Sequence, residues 1–173
     1  MHEYTDLAER CASFTLKALK EANEKRIQEL QSSGATSLVI ALQMIQLQKA
    51  ILAVGMFSMF EANLQENLKC NNGFQEAKEI LDSEGENDLK SRFINYIEAV
   101  NILKHGHGRS YNSLVSRADT LPFNIKQPGQ NFFFEGDVSE ISTLIEVDDD
   151  FVNECGSIVS EVSEVMLRAH PEF

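Results

Sequence analysis

The sequence has no tryptophan, only three prolines and only three cysteines among its 173 residues. The cysteines, Cys11, Cys70 and Cys155, are odd in number and far apart, and none belongs to a CxxC pair. This excludes a disulfide framework and a zinc-ligand pattern. The N-terminal residues 1–6 lack the basic and apolar regions of a signal peptide, so we expect a cytoplasmic protein.

Basic residues are also scarce, since 15 Lys and Arg stand against 27 Asp and Glu and give a formal net charge of −12. This charge repels phosphate backbones at long range, so we do not expect tight nonspecific binding to nucleic acid. The acidity is consistent with solubility alone or with a basic protein partner. The hydrophobic fraction of 43% is ordinary for a folded protein. No repeat or linker interrupts the chain, so residues 1–173 are expected to form one domain.

Several catalytic signatures are missing as well. There is no Gly-rich phosphate loop, nucleophile elbow, HExxH pair or Rossmann fingerprint, and we expect no cofactor. The most apolar stretch, residues 37–60, carries Gln43, Gln46, Gln48 and Lys49 in its middle. Because these polar groups together cost roughly several kcal/mol in hydrocarbon, the stretch is interpreted as a core helix and no membrane association is expected.

Helical periodicity runs through most of the chain. Thr36 or Ser37 is expected to cap the second helix, and Asn87 or Asp88 the fourth. The predicted helices cover residues 3–31, 38–68, 74–81 and 89–103, a brief turn at 110–117, and a last helix opened by residues 148–150. The pattern therefore predicts an all-α protein, an up-and-down helical bundle of about five helices.

The C-terminal third also contains two segments with strand character, residues 131–135 and 142–147. They are predicted to form a small β-hairpin or extended packing arms. Phe132, Phe133 and Phe134 are adjacent, and three consecutive aromatic side chains cannot all face one core from a strand. Together with the wide apolar helix around Phe57, they indicate a homodimer.

One segment has the character of a binding site. Glu98, Asn101 and His105 follow each other at helical spacing and align along one ridge. A glycine-rich turn follows at the end of this helix. The helix end and the turn together carry Lys104, His105, His107, Arg109 and Tyr111. Cations near a helix C-terminus are favoured by its dipole. Three interpretations are open: a plain helix cap, a site for a phosphate or carboxylate, and a metal site through His105 and His107.

This segment resembles the HEPN superfamily, whose nucleolytic signature is an Arg, a polar residue, three variable residues and a His. Asn101 and His105 match the polar residue and the His, and the preceding long helix bears Phe60 and Glu61. The resemblance implies a helical bundle that dimerises, and in many members a metal-independent ribonuclease of toxin–antitoxin or phage-defence systems. The matching stretch lies mainly within residues 57–114.

Two positions depart from the family pattern. The Arg position is Val100, and a basic residue expected four residues after Glu61 is Gln65. Losing a bidentate donor to the transition-state charge costs on the order of 10²–10³ in rate, although Arg109 could substitute from the following turn. We therefore predict a non-catalytic HEPN-like interaction, accessory or immunity protein. The alternatives are an endoribonuclease that uses His105 on RNA, and a helical bundle that binds a small ligand or a metal.

Overall fold

The structure, a computed structural model, describes residues 2–170 and forms six α-helices over that range. The predicted all-α bundle is confirmed, and the brief turn predicted at 110–117 is the short fifth helix. The helices are α1 (His2–Leu30), α2 (Thr36–Leu68), α3 (Gly73–Ser83), α4 (Asn87–His105), α5 (Arg109–Val115) and α6 (Asp149–Ala169). A single 3₁₀ turn, Ala118–Thr120, follows α5.

The start of the last helix agrees with the sequence prediction, since α6 begins at the predicted acids, whereas the starts of α2 and α4 do not. Asp148 caps α6, because its carboxylate accepts a hydrogen bond of 2.8 Å from the backbone N–H of Phe151. The capping residues predicted for α2 and α4 were wrong. Helix α2 begins after Ala35, and α4 begins after Glu86, and neither end has a side-chain cap.

Helix α2 is central to the bundle and packs against α1, α3, α4 and α6. Its residues Ala53, Phe57, Phe60 and Leu64 are completely buried. Phe57 and Phe60 both contact the ring of Phe93 in α4, with centroids 6.2 Å apart in each pair. Aromatic pairs in this range add to the area they bury, so these contacts fix α4 against α2.

By length and composition alone, α2 is the one helix within residues 2–170 that could cross a membrane. Only 22% of its most apolar 18-residue window is buried in the monomer. The interpretation of this helix as a core helix therefore applies to its C-terminal half, around Phe57. In the N-terminal half, one face packs in the bundle and the opposite face is exposed.

The predicted β-hairpin is absent, and no strand occurs within residues 2–170. Residues 131–135 form no ladder because the backbone N–H groups of Phe133 and Phe134 donate to the carboxylate of Glu140. The second segment, residues 142–147, pairs elsewhere through one antiparallel bridge between Ile125 and Ile145. A side-chain acceptor thus replaces the strand partner that residues 131–135 would need.

Residues 121–148 are irregular and are held by one buried ion pair. The Lys126 ammonium lies 2.6 Å from the Glu140 carboxylate, and their side chains are only 5% and 10% exposed. The ammonium also stands 4.7 Å from the ring centroid of Phe133. Gln43 of α2 donates to the backbone carbonyl of Glu140, which attaches this segment to the bundle.

Candidate functional site

The candidate site lies where α4 ends and α5 begins. The backbone N–H of Gly106 donates to the carbonyl of Ile102 over 2.7 Å, the last bond of α4. Gly106 then adopts φ 70°, a left-handed value that favours glycine. This turn separates His105, the last residue of α4, from Arg109, the first residue of α5.

The turn and the last helical turn of α4 enclose a solvent-open pocket of about 420 Å³. No carboxylate from residues 2–170 lines it, although the chain as a whole is strongly acidic. The polar groups are one carboxamide, two imidazoles, one guanidinium and one hydroxyl. The lining residues are Asn101, His105, Gly106, His107, Gly108, Arg109 and Ser110.

The register of α4 decides which side chains reach this pocket. Asn101 and His105 are four residues apart and so share one face. Their neighbours Val100 and Ile102 are 3% and 2% exposed and belong to the core. The core contacts of these two residues therefore direct Asn101 and His105 outwards, with Asn101 partly buried and His105 exposed.

Tyr111 supports the pocket without lining it. Its side chain is buried, and its hydroxyl donates to the backbone carbonyl of Lys126 over 2.9 Å. The ring of His107 meets the Tyr111 ring edge-on, with centroids 4.5 Å apart. The backbone of Tyr111 is held in α5 and its hydroxyl is held by Lys126. Its ring is therefore a fixed surface against which the exposed imidazole of His107 packs.

Glu98 was expected on the same ridge as Asn101 and His105, but its carboxylate is used elsewhere. It accepts a hydrogen bond of 3.0 Å from Ser113 and a second one from Arg117. These contacts tie α5 and the following turn back to α4. Glu98 is therefore a structural residue here, and its charge is balanced by Arg117 outside the pocket.

Two further expected residues also lie outside the pocket. Glu61 is in the C-terminal part of α2, where its backbone carbonyl lies close to α3: a Cβ at Gly73 would be only 2.8 Å from that carbonyl oxygen. Lys104 is exposed on α4 but does not line the pocket. Conversely, Ser110 lines it and was not predicted. Its position directly after Arg109 in the glycine-flanked turn was the available signal.

Within residues 2–170, no group of three or more His, Cys, Asp or Glu side chains is placed to hold a metal ion. No protein-family model, curated protein or solved structure matches the chain. Function is therefore inferred from the chemistry of the pocket. That chemistry consists of hydrogen-bond donors and cationic or titratable groups with no acid among the lining residues that the structure describes, which suits an anionic ligand.

Proposed function

We propose that the protein is a non-catalytic HEPN-like interaction protein, an accessory or immunity component of a defence or toxin system. In this proposal the pocket at the end of α4 holds a phosphate or carboxylate group of the partner. The acidic remainder of the surface then favours a partner that is basic overall.

The burial of Val100 is the observation that carries the non-catalytic assignment. Val100 occupies the position of the signature arginine and is 3% exposed within the core. An arginine at that position would have to bury its charge without a partner, which proteins avoid. The residues that match the signature, Asn101 and His105, thus lack a guanidinium from the adjacent position of α4 that would stabilise a cleavage transition state. The guanidinium in the pocket comes instead from Arg109 at the start of α5.

The lining residues that the structure describes include no acid, which supports the anion-binding part of the proposal. Arg109 supplies a planar set of N–H donors that suits phosphate or carboxylate. Asn101 and Ser110 add neutral donors, and the two imidazoles contribute one or two N–H groups each. Glu98, the nearest acid along α4, is already neutralised by Arg117.

A phosphate titration followed by NMR of the histidine imidazoles tests the pocket. We expect saturable shifts of His105 and His107 in the wild-type protein. Arg109→Ala removes a charge-assisted hydrogen bond of about 1.5–3 kcal/mol, so it should weaken phosphate binding about tenfold or more. Lys78→Ala, which removes a cation from α3 outside the pocket, should leave the affinity unchanged. Equal binding by the Arg109 variant would refute an anion site here.

The ribonuclease alternative is favoured by one observation, namely that His105 and Arg109 line the same pocket. Incubation with a labelled single-stranded RNA separates the two functions. We expect intact RNA after prolonged incubation with the wild-type protein. Cleavage that is lost in His105→Ala would replace our proposal with the nucleolytic function.

The metal-site alternative has its own test, which is thermal unfolding with and without zinc. An increase in melting temperature with zinc that is lost in His107→Ala would support a metal site.

A further inference from the structure

The outer face of α2 carries a row of exposed apolar side chains. Ile40, Met44, Leu47 and Ile51 are each between 48% and 61% exposed. Their spacings of four, three and four residues are typical of the apolar row, or seam, along which one helix packs against another. Such a row in a helix of a folded monomer is unusual, because large apolar side chains normally gather on the core face.

This row lies opposite the face that α2 contributes to the core. At about 100° of rotation per residue, Ile51 points about 160° away from Ala53, which is completely buried. The core therefore cannot cover the row without rotating α2 and exposing Phe57 and Phe60. The same reasoning makes insertion of α2 into a membrane costly, because it would remove these aromatic residues from the bundle.

Helix α1 extends the apolar surface beside α2. The Tyr4 hydroxyl donates to the Met56 carbonyl over 2.7 Å, so Tyr4 marks the side of α1 that meets α2. Leu7 and Phe14 lie about 60° and 80° round the helix from Tyr4, away from the core-facing Ala8. They are 65% and 77% exposed. On the other side of α2, Phe132 borders the same shallow pocket as Leu47.

The exposed area matches what a stable dimer needs. An aromatic side chain buries about 150–250 Å². If the aliphatic side chains are counted on the same scale, six residues together present roughly 500–900 Å², a range that includes the ~800 Å² per partner of a standard interface. The six are Leu7, Phe14, Ile40, Met44, Leu47 and Ile51. A single apolar patch on a monomer rarely exceeds a few hundred Å².

The charge distribution points to a second copy of this chain as the occupant. Between Thr36 and Phe60 the only ionisable residue is Lys49, which is mostly buried and lies 2.8 Å from the Asp149 carboxylate. Two molecules of net charge −12 repel each other, and this nearly uncharged stretch of α2 allows contact with little direct repulsion. A two-fold arrangement places the same row on both partners, which an isologous interface requires.

We propose that the outer face of α1 and α2, centred on Leu47 and Ile51, is the surface on which two copies of this protein associate. The pocket at the end of α4 contributes no residue to this face. The dimer and the anion site can therefore fail or hold independently.

Light scattering coupled to size exclusion, over a concentration series, tests the surface. We expect twice the monomer mass for the wild-type chain. Leu47→Glu places a charge in the seam and should weaken association at least 100-fold, giving a monomer. Asn153→Glu adds the same charge at an exposed position of α6 and should remain dimeric. A wild-type monomer at every concentration, or a dimeric Leu47 variant, would overturn the proposal.

Two measurements complete the test. Circular dichroism should show equal helix content in the wild-type, Leu47→Glu and Asn153→Glu proteins, since both positions are exposed. If Leu47→Glu unfolds, Ile40→Gln replaces it as a milder change at the end of the same row.

Flotation with neutral phosphatidylcholine vesicles tests whether the face binds a lipid surface. A wild-type protein that floats with the vesicles would assign this face to a lipid surface and overturn the dimer.

Discussion

Arg92 joins α4 to α6 through ion pairs with two glutamates. Its guanidinium donates to Glu154 over 2.6 Å and to Glu161 over 2.8 Å. The hydrogen bond from Arg92 is the main reason that the pKa of Glu161 lies below its ordinary value, against the opposing effect of burial. Because all three side chains are more than a third exposed, solvent screens part of this interaction.

Arg92→Ala is therefore expected to lower the free energy of unfolding by about 1 kcal/mol at neutral pH. A carboxylate with a lowered folded-state pKa contributes stability above its unfolded pKa and loses it as the pH falls through the folded value. The difference between wild type and variant should accordingly shrink below about pH 4. Urea unfolding at pH 7 and at a lower pH measures this difference in the free energy of unfolding.

Arg10→Ala is the matched control, because Arg10 forms an exposed pair with Asp6 within α1. It should unfold like the wild type at both pH values. A difference for the Arg92 variant that stayed constant with pH would show that packing of the side-chain stem, and not the ion pair, supplies the stability.

The residue scale also shows why the site was only partly predictable. Helical spacing alone places Asn101 and His105 on one face, and they line one pocket. The same spacing suggested Glu98, but its partner Arg117 is nineteen residues further along the chain. Such a contact depends on how α5 folds back onto α4, which periodicity does not encode.

At the scale of elements, the segment 121–148 depends on Glu140. Burial by itself would raise the pKa of this carboxylate, but hydrogen bonds from Lys126 and from the N–H groups of Phe134 and Phe133 outweigh it and lower the pKa. The charged form is therefore the one that the fold stabilises. It contributes stability above the ordinary pKa of a glutamate and loses it as the pH falls through the lowered value.

Glu140→Gln should leave the buried Lys126 ammonium without its counter-charge. Breaking one partner of a buried pair costs about 3–5 kcal/mol, so we expect a large loss of stability and faster proteolysis within residues 127–143. Glu135→Gln, an exposed acid in the same segment, should have little effect. The double variant Lys126→Met, Glu140→Gln should recover much of the loss. Full stability of the single Glu140 variant would contradict this role of the ion pair.

The elements differ in how well their sequences predict them. Helices α3, α4 and α6 follow from apolar periodicity, because each buries one stripe along its length. The strand character of residues 131–135 was misleading, since a local pattern cannot show that Glu140 will take the backbone N–H groups of Phe133 and Phe134. The apolar residues of this segment are typical of a strand, but the tertiary contact with Glu140 determines its backbone conformation.

At the scale of the whole molecule, charge and apolar surface act in opposite directions on self-association. Every copy carries a net charge of −12, which disfavours bringing two copies together. The outer face of α1 and α2 favours association through apolar contact that does not depend on ions. Added salt screens the repulsion and leaves the apolar contact in place.

The dimer proposed for this face should therefore tighten as sodium chloride is raised from about 0.1 M to 1 M, over which the screening length falls from about 10 Å to 3 Å. We expect the dissociation constant, measured by sedimentation, to fall several-fold. Leu47→Glu should stay monomeric throughout that range, because its defect is an unpaired charge in an apolar seam. An interface built on ion pairs would respond in the opposite way. Dissociation at high salt would therefore show that two copies meet through charged groups, away from Leu47 and Ile51.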